Sequence, residues 1–203
     1  MSINRNENSK LDFLLEIGNI GSGNALTSLA EFIDRRVDMK APRLEFVDFN
    51  ELFSSVGGVE NVVSGFLINV HGDVNGIMLF LLQNELASEV CDILLGSKLI
   101  DLNALDELHV SLFKEIANIM AGSYISALAE MTGLKISTTV PDLAIDMAGA
   151  ILSVPLIHFE NVYGQILLIQ NSFSVDSKEY NSSIFFFLED ESISKLMKQF
   201  GIE

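Results

Sequence analysis

One spacing of four residues occurs twice in this chain, 99 residues apart. The first copy combines an acidic residue, a glutamate, an asparagine and a proline: Asp12, Glu16, Asn19 and Pro42. The second copy has a serine in place of the first acid: Ser111, Glu115, Asn118 and Pro141. Nine of the 31 positions from residue 12 to residue 42 are identical in the second copy. Such a pattern should arise by composition at roughly one start in 10⁵, so its recurrence predicts an internal duplication.

Both copies begin in segments whose apolar residues recur at helical spacing, and we expect helices over residues 11 to about 35 and 108 to about 131. At about 100° per residue, the first three positions of each copy fall within about 60° of one another on one helix face. Gly23 and Gly122 continue these faces one turn later. A single Glu–Asn pair on a solvated helix is ordinary. Two divergent copies that keep the pair favour a function for it, on a face that another protein can approach.

Glycines are unusually frequent in the first helix, at Gly18, Gly21 and Gly23. Each costs roughly 0.5–1 kcal/mol of helix stability relative to alanine. Such a cluster predicts a kink or a surface that another chain approaches closely. We expect these glycines to provide clearance for a docking partner.

The other segments predict strands and shorter helices in a repeated order. We expect strands at 44–49, 62–71, 76–82, 135–140, 148–158, 164–170 and 181–188, helices at 85–95 and 190–200, and a loop or short helix at 51–61. In this scheme the strands 148–158 and 164–170 form a second hairpin, with Gly164 matching Gly76. The predicted fold class is α+β: a two-layer sandwich of a largely antiparallel sheet with two long helices on one face and a pseudo-two-fold internal duplication. About residues 9–100 and 104–203 form the repeats, and we expect one domain, because three strands alone are marginal.

Composition excludes several classes of function. The chain has 203 residues and a formal charge of −16, which argues against nucleic-acid binding. No apolar run has the length of a membrane span, and no secretory signal precedes the first helix, so we expect a cytoplasmic protein without membrane insertion. The single cysteine, Cys91, has no partner for an internal disulfide. His71, His109 and His158 are too scattered to predict a metal site, and the stretch GNIGSGN lacks the features of a nucleotide-binding loop.

The repeated pattern resembles that of the CheC/CheX/FliY family of chemotaxis phosphatases, and the resemblance covers essentially the whole chain. Two copies in about 200 residues are typical of the CheC-type members. CheX-type members are shorter, with one working motif. FliY members carry an added switch-complex domain, which disfavours a switch component here.

The resemblance implies a phosphatase that acts on the aspartyl phosphate of the response regulator CheY. Glu16 or Glu115 would pair with the active-site lysine of the regulator, and Asn19 or Asn118 would orient the attacking water. Mg²⁺ would come from the regulator, so no cofactor of the chain's own is implied.

The remaining positions of the pattern have supporting roles in this interpretation. Asp12 and Ser111 either orient their glutamates or contact the regulator at the rim of the site. Pro42 and Pro141 are expected to fix the start of a strand rather than take part in the chemistry.

A second stretch, PDLAIDMAGAI at residues 141–151, has a different implication from the same resemblance. It corresponds to the region that docks the receptor deamidase CheD, with Asp146 as the candidate contact. An ordinary exposed acid in a loop is the competing interpretation. The alternative function is therefore a weakly catalytic or non-catalytic adaptor that binds CheD.

Overall fold

A computed structural model describes residues 5–99, 101–102, 105–158 and 166–199, with side chains except at 5–14, 46, 49 and 50. The helices within these ranges are α1 (Arg5–Ile33), α2 (Phe49–Ser55), α3 (Asn84–Leu95), α4 (Glu107–Thr132), α5 (Ala148–His158) and α6 (Asp190–Gln199). The strands are β1 (Val37–Met39), β2 (Arg43–Val47), β3 (Val62–Gly72), β4 (Gly76–Leu82), β5 (Ile136–Thr138), β6 (Asp142–Met147), β7 (Ile166–Val175) and β8 (Lys178–Leu188).

All eight described strands belong to one sheet, in the order β1-β7-β8-β4-β3-β5. Strand β2 also pairs with β7, and β6 also pairs with β3. Every pairing between the described strands is antiparallel. The predicted α+β class with a largely antiparallel sheet is therefore confirmed.

The order helix, strand, strand, helix, strand, strand, helix occurs twice along the chain. The outer strands cross over between the two series: β1 and β2 pair with β7, whereas β5 and β6 pair with β3. Neither series completes its part of the sheet without strands from the other. We therefore propose that the two predicted repeats, about residues 9–100 and 104–203, form a single domain.

The centre of the sheet is buried on both faces, which explains its continuous apolar sequences. Along β4, Met78 and Phe80 share a core with α1, α4, α3 and α6. The alternate residues Ile77 and Leu79 share a second core with α2 and α5. Successive side chains of a strand point to opposite faces, so both sets must be apolar here. The two long helices lie on one face as predicted, and α2 and α5 add a partial cover on the other.

The segment predicted as a strand at 148–158 is helix α5, so that prediction is wrong. The sequence AGAILSVPLIH is almost entirely apolar and shows neither period clearly. Its buried residues follow helical spacing: Ala148, Ile151, Leu152 and Pro155. A proline in the middle of this segment was itself a signal against a strand.

The second hairpin consequently lies elsewhere, between β7 and β8. Its turn contains Asp176 and Ser177, both with positive φ, at 47° and 72°. Two-residue hairpins favour this backbone twist and usually take Asn or Gly there, so an Asp-Ser pair is a weak signal for the turn. In the repeated order of elements β4 corresponds to β8, which begins at Lys178, so the expected match between Gly76 and Gly164 is wrong. Gly164 itself lies outside the described residues.

The predicted limits of the other elements differ from the structure by up to about six residues, including the start of α1 at Arg5 and the end of β7 at Val175. The short strand β1 and strand β6 were not expected. Helices α3 and α4 end at Gly96 and Gly133, each in the left-handed conformation that favours glycine. Pro42 and Pro141 are buried and come directly before β2 and β6. Both prolines therefore stand where the chain enters a strand, as expected.

Candidate active site

The first Glu–Asn pair lies on the outer side of α1. Glu16 and Asn19 are both exposed, whereas the neighbouring Ile17 is buried in the core below. The side chain of Asp12 lies outside the described residues, although the residue itself belongs to α1. An amphipathic helix with its apolar stripe on the sheet necessarily turns this polar stripe outward.

The second pair has the same setting on α4. Ser111, Glu115 and Asn118 are exposed, and four of the five residues between them are buried in the core: Leu112, Phe113, Ile116 and Ala117. The structure thus places Glu16 and Asn19 on one exposed stripe of α1, and Ser111, Glu115 and Asn118 on one exposed stripe of α4. The two Glu–Asn pairs lie on different helices and do not form one combined site.

The start of α4 is fixed by Asp106, whose side chain accepts a hydrogen bond from the backbone N–H of His109. That bond, with a second one to the His109 ring, lowers the pKa of the Asp106 carboxyl. A capping residue of this type satisfies an N–H at the helix start and favours a defined first turn. Ser111 follows within that first part of the helix, so the cap helps to set where the second polar stripe begins.

Within the described part of the chain, no group forms a hydrogen bond or ion pair with the side chains of Glu16, Asn19, Glu115 or Asn118. Their polar groups therefore do not serve the fold there. A carboxylate can pair with an ammonium group, and a carboxamide can both donate to and accept from a water molecule. The arrangement can recognise a cation and hold a water on a surface that a partner completes.

The glycines of this region divide into two classes. At Gly23 and Gly122 an added Cβ would meet nothing within 4 Å, so both positions are open, in agreement with clearance above the polar stripe. At Gly18 an added Cβ would lie 2.6 Å from Cδ1 of Leu44, and at Gly21 it would lie 2.5 Å from Cδ1 of Tyr124. The expectation that all three α1 glycines give clearance to a partner is therefore wrong for Gly18 and Gly21, which make room for side chains of the chain itself.

Asp146 lies away from these helices, on strand β6. Its side chain is exposed, and one carboxylate oxygen accepts a hydrogen bond from the backbone N–H of Met147. Met147 is itself exposed, and it stands opposite the exposed Val62 of β3. Asp146 and Met147 are consecutive in the strand, so their side chains point to opposite faces of β6. Neither belongs to the helices that carry the Glu–Asn pairs.

Comparison with known proteins places the repeated pattern in a family. The sequence profile of the CheC-like family matches residues 10–45 and 103–145, the two stretches that contain the pattern. The CheY-P phosphatase CheC of Bacillus subtilis (strain 168) is 32% identical over 196 residues, which cover 95% of this chain and 94% of that protein. The chain belongs to the CheC-like family.

Proteins of known structure with much lower sequence identity share the fold of this CheC-like chain. Thermotoga maritima FliY has a TM-score of 0.68 at 18% identity and covers 99% of this chain and 98% of its own. A chain from the CheX–CheY–BeF3–Mg²⁺ complex of Borrelia burgdorferi has a TM-score of 0.51 at 16% identity, covering 84% and 96%. At such identities the likeness concerns the fold.

The described residues show neither a metal centre nor a membrane-spanning helix. No three His, Cys, Asp or Glu side chains in that part of the chain form a group that could hold a metal ion. None of the described helices is long and apolar enough to cross a membrane.

Proposed function

We propose that this chain is a phosphatase that hydrolyses the aspartyl phosphate of the response regulator CheY. The observation that supports this most is the Glu–Asn pair itself. It occurs on both long helices, with both side chains exposed and without partners among the described residues. The name of the B. subtilis relative, CheY-P phosphatase, supports the choice of substrate.

The proposed mechanism assigns one task to each side chain. The carboxylate of Glu16 or Glu115 pairs with the active-site lysine of CheY and sets the register of docking. The carboxamide of Asn19 or Asn118 then lies beside the acyl phosphate and holds a water in line for attack. Phosphoryl transfer depends on positioning and charge stabilisation more than on a strong base, so a neutral amide is sufficient for this role.

The location of the pairs has a consequence for the substrate. Both pairs stand on convex helix surfaces rather than in a cleft, so the chain supplies one side of the reaction centre and the docked regulator supplies the other. Mg²⁺ belongs to the regulator in this scheme and neutralises charge on the phosphoryl oxygens. The B. burgdorferi complex named above contains CheY, BeF3 and Mg²⁺. The chain needs no cofactor of its own in this scheme, and it acts in the cytoplasm with its substrate.

The test is the decay of purified phosphorylated CheY with and without a substoichiometric amount of this chain. We expect multiple turnovers per chain and a rate that rises with the concentration of the chain. Acetyl phosphate alone serves as the control, because a small acyl phosphate cannot complete the surface site. A chain that leaves the decay of CheY-P unchanged, or that hydrolyses acetyl phosphate equally well, would contradict the proposal.

A second function, binding of the deamidase CheD, is favoured by the separate surface around Asp146. The backbone next to this acid also carries exposed apolar side chains: Met147 at 47%, Val62 at 44% and Val59 at 49% exposure. The backbone N–H of Gly149 donates to the carbonyl of Val59, which keeps the start of α5 next to the beginning of β3. Successive side chains of a strand point to opposite faces, so Asp146 projects from the other side of β6 than Met147 and offers a charged contact at the edge of this apolar patch. We assign the anchor to Asp146 because exposed apolar patches commonly mark interaction sites.

We expect Asp146→Lys to abolish capture of CheD in a pulldown, because it reverses the charge at the edge of this patch. Asp142→Lys is the matched control, since Asp142 is exposed on the same strand four residues earlier. The control should retain binding. Equal binding by the wild type and by both variants would show that Asp146 does not anchor CheD, and no binding by the wild type would remove the adaptor function.

A further inference from the structure

Tyr124 of α4 connects four elements through one buried hydroxyl. Its side chain is 1% exposed, and its hydroxyl donates a hydrogen bond to Oδ1 of Asn171 on β7 at 3.1 Å. The hydroxyl of Ser22 on α1 forms a further hydrogen bond with the hydroxyl of Tyr124. Asn171 in turn donates to Ser182 on β8. The ring packs edge-on against Phe186, with 6.3 Å between the ring centroids.

The ring of Tyr124 also lies directly on the backbone of α1. A Cβ at Gly21 would stand 2.5 Å from its Cδ1, so only glycine leaves room for the ring at that position. The equivalent contact, a tyrosine of α1 on a glycine of α4, does not exist. At an offset of 99 residues, Met120 stands in place of Gly21, and Ala25 stands in the position on α1 that corresponds to Tyr124.

The helix segment that carries Asn19 has a low intrinsic helix preference and is stabilised by side chains from other elements. Three glycines occur within six residues, and each lowers the helix preference by roughly 0.5–1 kcal/mol. Leu44 of β2 packs at Gly18 and Tyr124 of α4 packs at Gly21, so two side chains from other elements close on this segment.

The second pair is supported in a different way. The positions on α4 that correspond to Gly18 and Gly21 are Ala117 and Met120, two good helix formers that are buried in the core. Gly122 is the one glycine of that segment, and it faces open space. The backbone around Asn118 therefore depends much less on contacts from other elements.

We propose that Tyr124 is a positioning residue for Asn19, so that the helix with the second Glu–Asn pair fixes the geometry of the first. This inference rests on the proposed phosphatase function. Asn19 is two residues from Gly21 and three from Ser22, within the same helical turn. Loss of the Tyr124 hydroxyl frees this turn to move by small amounts. The water held by Asn19 then loses its alignment, while docking through Glu16 one turn earlier is retained.

The experiment uses two backgrounds that isolate the pairs: Asn118→Ala leaves only the first pair, and Asn19→Ala leaves only the second. In each background Tyr124→Phe removes the hydroxyl and keeps the ring. We expect kcat of the first pair to fall about fivefold with little change in KM, as one lost net hydrogen bond would give. Hydrolysis by the second pair should change by less than about twofold.

Tyr180→Phe is the matched control, because Tyr180 is another buried tyrosine, whose ring packs at a tilt against Phe173 on the hairpin of β7 and β8. This variant should lower the stability of the protein and affect hydrolysis by the two Glu–Asn pairs equally. Equal losses for both pairs with Tyr124→Phe would show a general effect of stability and overturn the inference. Unchanged kcat of the first pair would overturn it as well.

Hydrogen exchange of the chain alone separates this inference from the proposed function. Tyr124→Phe should raise the exchange of amides in residues 18–24 about fivefold and leave residues 117–123 unchanged. If no variant or wild type hydrolyses CheY-P but this difference appears, the phosphatase function fails and the support of α1 by Tyr124 stands. If hydrolysis occurs and the two segments exchange alike, the positioning role is wrong.

Discussion

Replacing both asparagines, in the double variant Asn19→Ala/Asn118→Ala, should slow the hydrolysis of CheY-P by about 10²-fold or more. In the proposed reaction the carboxamide holds the attacking water, and alanine has no group that can do so. Both side chains are exposed and make no hydrogen bond with the described residues, so their removal should not disturb the fold. Alanine is also the better helix former at both positions.

Single-turnover decay of CheY-P measures this loss, and the melting temperature checks the fold. The double variant should still bind CheY carrying BeF3, a non-hydrolysable mimic of the phosphoryl group, because docking is assigned to the glutamates. Asn24→Ala and Ser126→Ala are matched controls, since both residues are exposed on the same two helices. A double variant that keeps more than a tenth of the wild-type rate would remove both asparagines from the proposed mechanism.

The two glutamates give the complementary result. Glu16→Ala combined with Glu115→Ala should weaken the binding of CheY–BeF3 and raise KM more than it lowers kcat. An ion pair at a surface is worth about 1 kcal/mol or less, so each glutamate should contribute up to about fivefold in affinity. The single asparagine variants then rank the two pairs, which differ in sequence at Gly18 and Ala117 and at Gly21 and Met120.

The helical parts of this architecture were predictable from the sequence because their signals are local. The apolar period of α1 and α4 places Ile17 and Ile116 in the core, and the same period necessarily turns Glu16 and Glu115 outward. Gly133 ends α4 because glycine readily adopts the left-handed conformation found there. The candidate pairs needed only this period and the repeated spacing.

Other parts depended on contacts between distant residues and were not predictable in this way. The residue that packs on Gly21 of α1 is Tyr124, which lies 103 residues further along the chain. Helix α5 is not recognisable as a helix from its sequence, because both faces of the segment are apolar. The apolar cluster that it joins takes residues from β3, β4, β7 and β8, which come from different parts of the chain. The substitution of Met120 for Gly21 and of Ala25 for Tyr124 was a signal in the sequence, but its meaning requires the packing of α1 on α4.

The glycines of the two helices should respond to alanine with opposite signs. Gly21→Ala should lower the free energy of unfolding by about 1–3 kcal/mol, because the new Cβ overlaps the ring of Tyr124, which is buried and cannot move aside. Gly122→Ala and Gly23→Ala should instead raise it by roughly 0.5–1 kcal/mol, since the added methyl meets no atom within 4 Å and helix preference increases.

The stabilised variants are expected to be the poorer phosphatases. Gly23 and Gly122 stand one turn after Asn19 and Asn118 on the exposed stripes, so a methyl group there stands where the regulator must approach.

Denaturant unfolding measures the stability of each variant, and titration with CheY–BeF3 measures the docking. Each pair is tested with the other asparagine replaced by alanine. If Gly122→Ala raises stability and leaves docking unchanged, the regulator does not approach that stripe closely. If Gly21→Ala is as stable as the wild type, the contact with Tyr124 does not determine the packing of α1. Opposite signs would show that glycines of one short helical segment serve two different purposes: one admits a side chain of the protein itself, and the other leaves space for its substrate.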